Sequence, residues 1–77
     1  MKIKITDAQR KRVTEDLDEA KIKLAQAKDR LNKTLEIAKT DSSWNEWVEE
    51  DTNRVQYYEN YIASLKKILI KGEIEVA

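Results

Sequence analysis

The sequence contains no cysteine, no histidine and no proline among its 77 residues, and Gly72 is its only glycine. The lack of cysteine and histidine excludes disulfides, thiolate nucleophiles, imidazole bases and the usual zinc ligands. Because proline is absent and glycine occurs only near the end, long helices can run unbroken. A chain of this length forms one domain, residues 1–77, whose core is too small to enclose an active site. We therefore predict that the protein is not an enzyme.

Long apolar runs are also missing. No segment approaches the roughly 20 apolar residues that a membrane-spanning helix needs. The first six residues alternate lysine with isoleucine, which is unlike the apolar centre of a signal peptide. These features predict a cytoplasmic protein without a membrane attachment.

Apolar and small residues recur in two long segments at alternating spacings of four and three, which is typical of a coiled coil. These seam positions are Val13, Leu17, Ala20, Leu24, Ala27, Leu31, Thr34 and Ala38, followed by Trp44, Val48, Asp51, Val55, Tyr58, Ile62, Leu65 and Leu69. The pattern predicts helices over 7–39 and 44–70, joined by a short turn at 40–43 and therefore antiparallel. Folding the seam back on itself places Thr34 beside Asp51 as a polar layer that fixes the register.

The two ends of the chain alternate with a period of two, which indicates strands. Residues 2–5 carry lysines between isoleucines, and residues 73–76 carry glutamates between apolar residues. The hairpin brings these segments together, and their opposite charges favour pairing. The predicted fold is mainly α, an antiparallel two-helix coiled-coil hairpin with a short two-stranded β ribbon joining the termini.

The predicted turn is strongly acidic. Residues 40–53 include Asp41, Glu46, Glu49, Glu50 and Asp51 and no lysine or arginine, so this tip carries −5 while the rest of the chain carries +5. Asp41, together with Glu46 or Asp51, is a candidate to hold a hard cation such as Mg²⁺ through carboxylate oxygens. The alternative is a solvated turn, in which Ser43 and Glu46 form a capping box and the acids complement the helix dipole.

Two further surfaces are candidates for contacts with a partner. The basic flank of the first helix, Lys21, Lys23, Lys28, Arg30 and Lys33, could follow a phosphate backbone or a negatively charged wall. Trp47, Arg54, Tyr61 and Ile68 form a second, narrower stripe on the second helix. Each has an ordinary explanation, the first as a solvated flank and the second as side-chain packing over the first helix.

The tip carries a family resemblance. The segment Thr40-Asp41-Ser42-Ser43-Trp44-Asn45-Glu46-Trp47-Val48 is similar to a family pattern G-D-L-S-E-N-A-E-Y, with matches at Asp41, Ser43 and Asn45. Further along, Glu59, Ile62, Leu65 and Leu69 follow the family's E-x-x-I-x-x-L-x-x-x-L spacing. Over nearly its whole length the chain resembles the N-terminal coiled-coil domain of the bacterial transcript-cleavage factors GreA and GreB, without their C-terminal domain.

The resemblance implies a function. In that family the coiled coil enters the secondary channel of RNA polymerase, and two acids at the tip help to hold the catalytic Mg²⁺. Asp41 occupies the position of the first acid, but Trp44 stands at the second. The resemblance therefore implies a polymerase-binding modulator of transcription with weak or no stimulation of transcript cleavage.

The same resemblance assigns roles to particular residues. Asp41 is the expected metal ligand, for a Mg²⁺ shared with the polymerase active site and not for an intrinsic cofactor. The expected partner-binding residues are Ser43, Trp44, Asn45 and Trp47, and the expected basic contacts to polymerase and RNA are Lys21, Lys23, Lys28 and Arg30. No sequence-specific binding of nucleic acid is expected.

The sequence is also compatible with two other functions. A structural or adaptor hairpin could dimerise into a four-helix bundle through Trp47, Tyr61 and Ile68. A secreted hairpin with a W-x-G turn would also place a tryptophan at the turn, although Trp44-Asn45-Glu46 lacks the glycine. The protein is accordingly expected to be a monomer or a homodimer.

Overall fold

The structure, a computed structural model, describes residues 1–75 and shows an antiparallel helical hairpin closed by a β ribbon. Strand β1 spans Lys2–Lys4, helix α1 Asp7–Ala38, a 3-10 helix Ser42–Trp44, helix α2 Asn45–Lys71 and strand β2 Glu73–Glu75. The hairpin measures 51 × 23 × 13 Å along its principal axes. The predicted fold class is confirmed.

Helix α1 begins at a capping box that the sequence analysis did not identify. The Gln9 amide donates to the Thr6 hydroxyl at 3.1 Å, and the Thr6 amide donates to the Gln9 side-chain oxygen at 2.8 Å. Two of the amides left without partners at a helix start are thereby satisfied. This arrangement sets the entry of the chain from the ribbon into α1.

The helices end close to the predicted positions, for local reasons. Helix α1 was expected to reach residue 39 but ends at Ala38, because the Thr40 amide donates to the Ile37 carbonyl only three residues back, at 3.1 Å, and Asp41 is extended, with a φ of −140°. Helix α2 was expected over 44–70 but runs one residue later at both ends. It stops at Gly72, whose φ of 67° lies in the left-handed region that glycine tolerates best.

The ribbon pairs the two ends of the chain. Its register places Lys2 opposite Glu75, Ile3 opposite Ile74 and Lys4 opposite Glu73, as the charge pattern predicts. The first strand is one residue shorter than expected, although the Ile5 amide still donates to the Gly72 carbonyl at 3.0 Å in the same register. The second strand was expected to reach Val76, which lies outside the described residues.

The core follows the predicted seam. Leu17, Ala20, Ile62 and Leu65 form its central cluster, and Val13, Leu24, Ile68 and Leu69 pack against it. Nearer the tip, Ala27 and Val55 are also buried. Within the central cluster, Ala20 of α1 packs with Ile62 and Leu65 of α2, and its small side chain lets the two helices approach closely there. Within residues 1–75, no helix is both long and apolar enough to cross a membrane.

Candidate functional site

The turn at the far end of the hairpin is organised by Asp41. Its Oδ1 accepts a hydrogen bond from the Ser43 hydroxyl at 2.6 Å and another from the Ser43 amide at 3.0 Å. Asp41 thereby caps the 3-10 helix that leads into α2. Because both bonds end on Oδ1 and the residue is exposed, Oδ2 is the oxygen that an outside ligand would meet.

The same contacts keep Asp41 ionised. The Ser43 hydroxyl, and next the Ser43 amide, lower the pKa of Asp41 below its ordinary value of 3.8 by hydrogen bonding to the charged form. The tip therefore presents a fixed, negatively charged carboxylate at all physiological pH values. Such a group suits a cation or a positively charged partner surface.

The predicted capping box of Ser43 and Glu46 is wrong. The N-cap position of α2 is Trp44, whose side chain makes no capping bond, and Ser43 serves as a donor to Asp41. Because residues 42–44 form a 3-10 helix, Ser43 does not occupy the N-cap position of α2 that the capping box requires. Glu46 is left exposed in the first turn of α2, where its charge complements the helix dipole.

The predicted partner-binding residues lie together around this turn. Ser43 and Asn45 are exposed, Trp44 is half-buried and Trp47 is 48% exposed. The rings of Trp44 and Trp47 lie 6.3 Å apart, tilted by 45°. The hairpin is a rod about 51 Å long, and its tip combines one ordered carboxylate with a pair of indole rings. The tip thus offers both a polar and an apolar contact.

Among the described residues, no group of three or more histidine, cysteine, aspartate or glutamate side chains is placed to hold a metal ion. Asp41 and Glu46 remain the residues that could contribute carboxylate oxygens to an ion held mainly by another molecule.

Asp51 forms the polar layer behind the tip. Its Oδ2 accepts a hydrogen bond from the Thr34 hydroxyl at 2.7 Å, and its Oδ1 lies 3.4 Å from both Arg30 Nε and Arg54 Nη1. Asp51 is 2% exposed, whereas the side chains of both arginines are about half exposed. This buried carboxylate is thus occupied within the hairpin, which separates it from the exposed acids of the tip.

The arginines beside Asp51 were not predicted to meet there. Arg30 was assigned to the basic flank and Arg54 to the aromatic stripe. A signal existed in the sequence, because Arg30 lies four residues before Thr34 and Arg54 three residues after Asp51, both at spacings that share a helix face.

The four lysines of the basic flank are all exposed: Lys21, Lys23, Lys28 and Lys33. Lys23 pairs with Glu19 at 3.4 Å and Lys33 with Asp29 at 3.1 Å, both one turn away on the same helix. Since exposed pairs of this kind contribute little to stability, these lysines remain able to exchange partners.

Tyr57 is a feature of α2 that the sequence analysis missed. Its ring stacks on that of Tyr61 at 6.3 Å and meets Tyr58 edge-on at 5.3 Å. These three tyrosines line a shallow groove together with Ala20, Lys23, Asp16 and Glu19 of α1. Tyr57 lies outside the seam, and only its spacing from Tyr61 could have drawn attention to it.

Comparison with protein-family models, with curated proteins and with solved structures gave no significant match to this chain.

Proposed function

We propose that this hairpin is a cytoplasmic modulator of transcription that binds bacterial RNA polymerase by inserting its acidic tip into the secondary channel. The observation that carries this proposal is the ordered carboxylate of Asp41, held by Ser43 at the extreme end of a rod about 51 Å long. A narrow rod with its working group at one end is suited to reach a site that lies deep within a larger molecule.

The surroundings of Asp41 support the same function. Asp41, Ser43 and Asn45 match the tip pattern of the transcript-cleavage factors, and all three lie at the turn. The terminal ribbon stands at the opposite end of the rod, where it leaves the tip unobstructed. The exposed lysines of α1, Lys21 and Lys28, supply positive charge along the body for a negatively charged channel wall or for RNA.

The chemistry of the tip favours occupancy of the channel over stimulation of cleavage. A metal ion shared with the polymerase needs more than one carboxylate from a cleavage factor to be held firmly. Here Trp44 stands where the family has its second acid, and Glu46 is the nearest substitute in the sequence. We expect the protein to compete with cleavage factors for the channel and to stimulate cleavage weakly or not at all.

The test is a binding assay with purified bacterial RNA polymerase, with and without an authentic cleavage factor as competitor, followed by transcript cleavage on backtracked complexes. Displaceable binding without cleavage supports the proposal. Asp41→Asn keeps an oxygen for the Ser43 bonds but removes the charge, so it should weaken binding. Asp18→Asn, an equal charge change on the exposed body of α1, is the matched control.

Two results would overturn the proposal. One is the absence of binding at micromolar concentration. The other is binding that survives Asp41→Asn, because the working end would then lie elsewhere on the rod.

A further inference from the structure

We infer that the outer face of α2 is the interface of an antiparallel homodimer. In it, Trp47 of each protomer enters a groove at the base of the other protomer, the base being the end of the hairpin that carries the β ribbon. In this dimer the partner's base covers Trp47, so the dimer is a form of the protein that cannot insert its tip, and only the monomer would enter a polymerase channel. The exposed residues of this face, the groove at the base and the charges at the two ends of α2 favour the dimer.

A second stripe runs along α2 beside the seam. Its members are Trp47, Glu50, Arg54, Tyr57, Tyr61, Ser64, Ile68 and Lys71. Four of the eight are charged or polar, and two of the eight, Ile68 and Arg54, already contact the hairpin itself. The exposed aromatic part of the stripe is Trp47, Tyr57 and Tyr61.

The aromatic members of the second stripe are accessible. Trp47 is 48% exposed, Tyr57 63% and Tyr61 37%. Tyr57 and Tyr61 stack with an angle of 12° between their rings, which forms a flat surface near the middle of α2. Single exposed aromatics are ordinary, but three on one helix face indicate a contact surface.

The base of the rod offers a groove at the end of this stripe. It has a volume of about 420 Å³ and lies between α2 and the ribbon. Its lining consists of Lys2, Ser64, Lys67, Ile68, Lys71, Glu73 and Ile74. Two isoleucines provide an apolar floor, and three lysines surround it, an environment that suits the face of an indole ring.

Charge along α2 selects the direction of pairing. On the stripe itself, Glu50 lies near the tip and Lys71 at the base, while Arg54 is engaged by the buried Asp51. A parallel dimer would place Glu50 beside Glu50 and Lys71 beside Lys71. An antiparallel dimer places Glu50 of each copy near Lys71 of the other, so these end charges are self-complementary, as a two-fold interface requires.

A two-fold axis near residue 59, close to the middle of α2, aligns the two stripes. Tyr57 then faces the partner's Tyr61, and Glu50 comes within a turn of the partner's Lys71. Trp47 reaches the groove at the partner's base. Since α2 has 27 residues, this contact would extend over about 40 Å. Both copies contribute identical contacts at the two ends, and the stacked tyrosines form the centre.

The experiment is sedimentation velocity from micromolar to millimolar concentration on the full chain and on two charge variants, Glu50→Lys and Lys71→Glu. We expect the unaltered chain to dimerise and each variant to associate at least about tenfold more weakly, because each places like charges together at both ends. An equimolar mixture of the two variants restores opposite charges at both ends, so it should dimerise again. Circular dichroism verifies that each variant keeps its helices.

A matched control separates this interface from a general effect of charge. Glu49→Lys makes the same charge change one residue away, about 100° around α2 and off the stripe, and should leave association unchanged. The inference is overturned if the unaltered chain stays monomeric at millimolar concentration, or if Glu49→Lys weakens association as much as Glu50→Lys. It is also overturned if the mixture of variants stays monomeric. A parallel dimer predicts that Glu50→Lys binds the unaltered chain more tightly than the unaltered chain binds itself, and this result would likewise overturn the inference.

Discussion

The hydroxyl of Thr34 lies 2.7 Å from Oδ2 of Asp51, a contact between two buried polar side chains on opposite helices. The rest of the neighbouring seam is apolar. Sliding α2 by one helical turn would bury the Asp51 carboxylate without the hydroxyl, which carries a large desolvation penalty. This pair therefore selects one register of the hairpin, and its energetic role can be measured.

Replacing Thr34 by valine should destabilise the hairpin. The change preserves the side-chain shape but removes a donor from the buried Asp51 carboxylate, which should cost about 1–3 kcal/mol. Urea unfolding followed by circular dichroism measures the loss. The double variant Thr34→Val with Asp51→Leu removes both partners and should recover part of that stability. If the two substitutions act additively in a double-mutant cycle, the contact has no specific energetic role.

Enlarging Ala20 should also destabilise the protein. This residue is 2% exposed and lies in the cluster with Leu17, Ile62 and Leu65. Because small residues of α1 let the helices approach, Ala20→Leu should overpack the core and cost about 1–3 kcal/mol of unfolding free energy. Ala25→Leu is the matched control, since Ala25 is exposed on the same helix. Equal stability of the two variants would contradict the observed packing.

Substitution of Gly72 tests the end of α2. An alanine there must adopt a φ of 67°, which costs about 1–2 kcal/mol for an L-residue. The added Cβ would lie 3.2 Å from Arg10 Nη2, the flexible end of a side chain that can shift. Thermal unfolding should therefore show a loss for Gly72→Ala and a smaller one for Gly72→Asn, because asparagine tolerates this conformation better. A larger loss for asparagine would refute the backbone explanation.

The pKa of Asp41 should depend on Ser43. NMR titration of the carboxyl group should place this pKa below 3.8, and Ser43→Ala should raise it, since the hydroxyl is the main cause of the lowering. Part of the lowering should persist through the backbone amide of residue 43. Ser42→Ala, which leaves both bonds in place, is the control and should not change the titration.

The same pKa fixes the direction of a pH effect. A carboxyl group whose pKa is lowered by folding stabilises the folded state above its unfolded pKa, and this contribution disappears as the pH falls through the lowered, folded value. For Asp41 the pH range over which this stabilisation is lost thus begins near pH 3.8 and extends below it. Stability should fall less steeply with acid in this window when Ser43 is alanine. An unchanged pH profile would show that the cap does not contribute.

Features that depend on a regular repeat were predictable from the sequence. The period of the seam located both helices, and the polar residues in it identified the contact of Thr34 with Asp51. The charge alternation at the two ends predicted the ribbon and its pairing, which includes Lys4 opposite Glu73. These features follow from periodicity and from charge, which a linear sequence displays directly.

Other features depend on local competition for hydrogen bonds and were missed. At the turn, Ser43 had two possible roles, as a cap for α2 or as a donor to Asp41, and only the backbone path of the 3-10 helix decides between them. Likewise, Arg10 donates from Nη1 to the Leu69 carbonyl at 3.1 Å, a contact across the base that spacing does not reveal. The long side chains of arginine can reach many partners, so their final contacts follow from the packed structure.

The ribbon places the two ends of the chain side by side, which determines how the molecule would respond to a pulling force. Tension applied at β1 and β2 would load the pairs from Lys2 with Glu75 to Lys4 with Glu73 one after another, as in a zipper. The helices would then separate from the base toward the turn. The layer of Thr34 and Asp51 would be among the last to open, so the tip would keep its shape while the base yields.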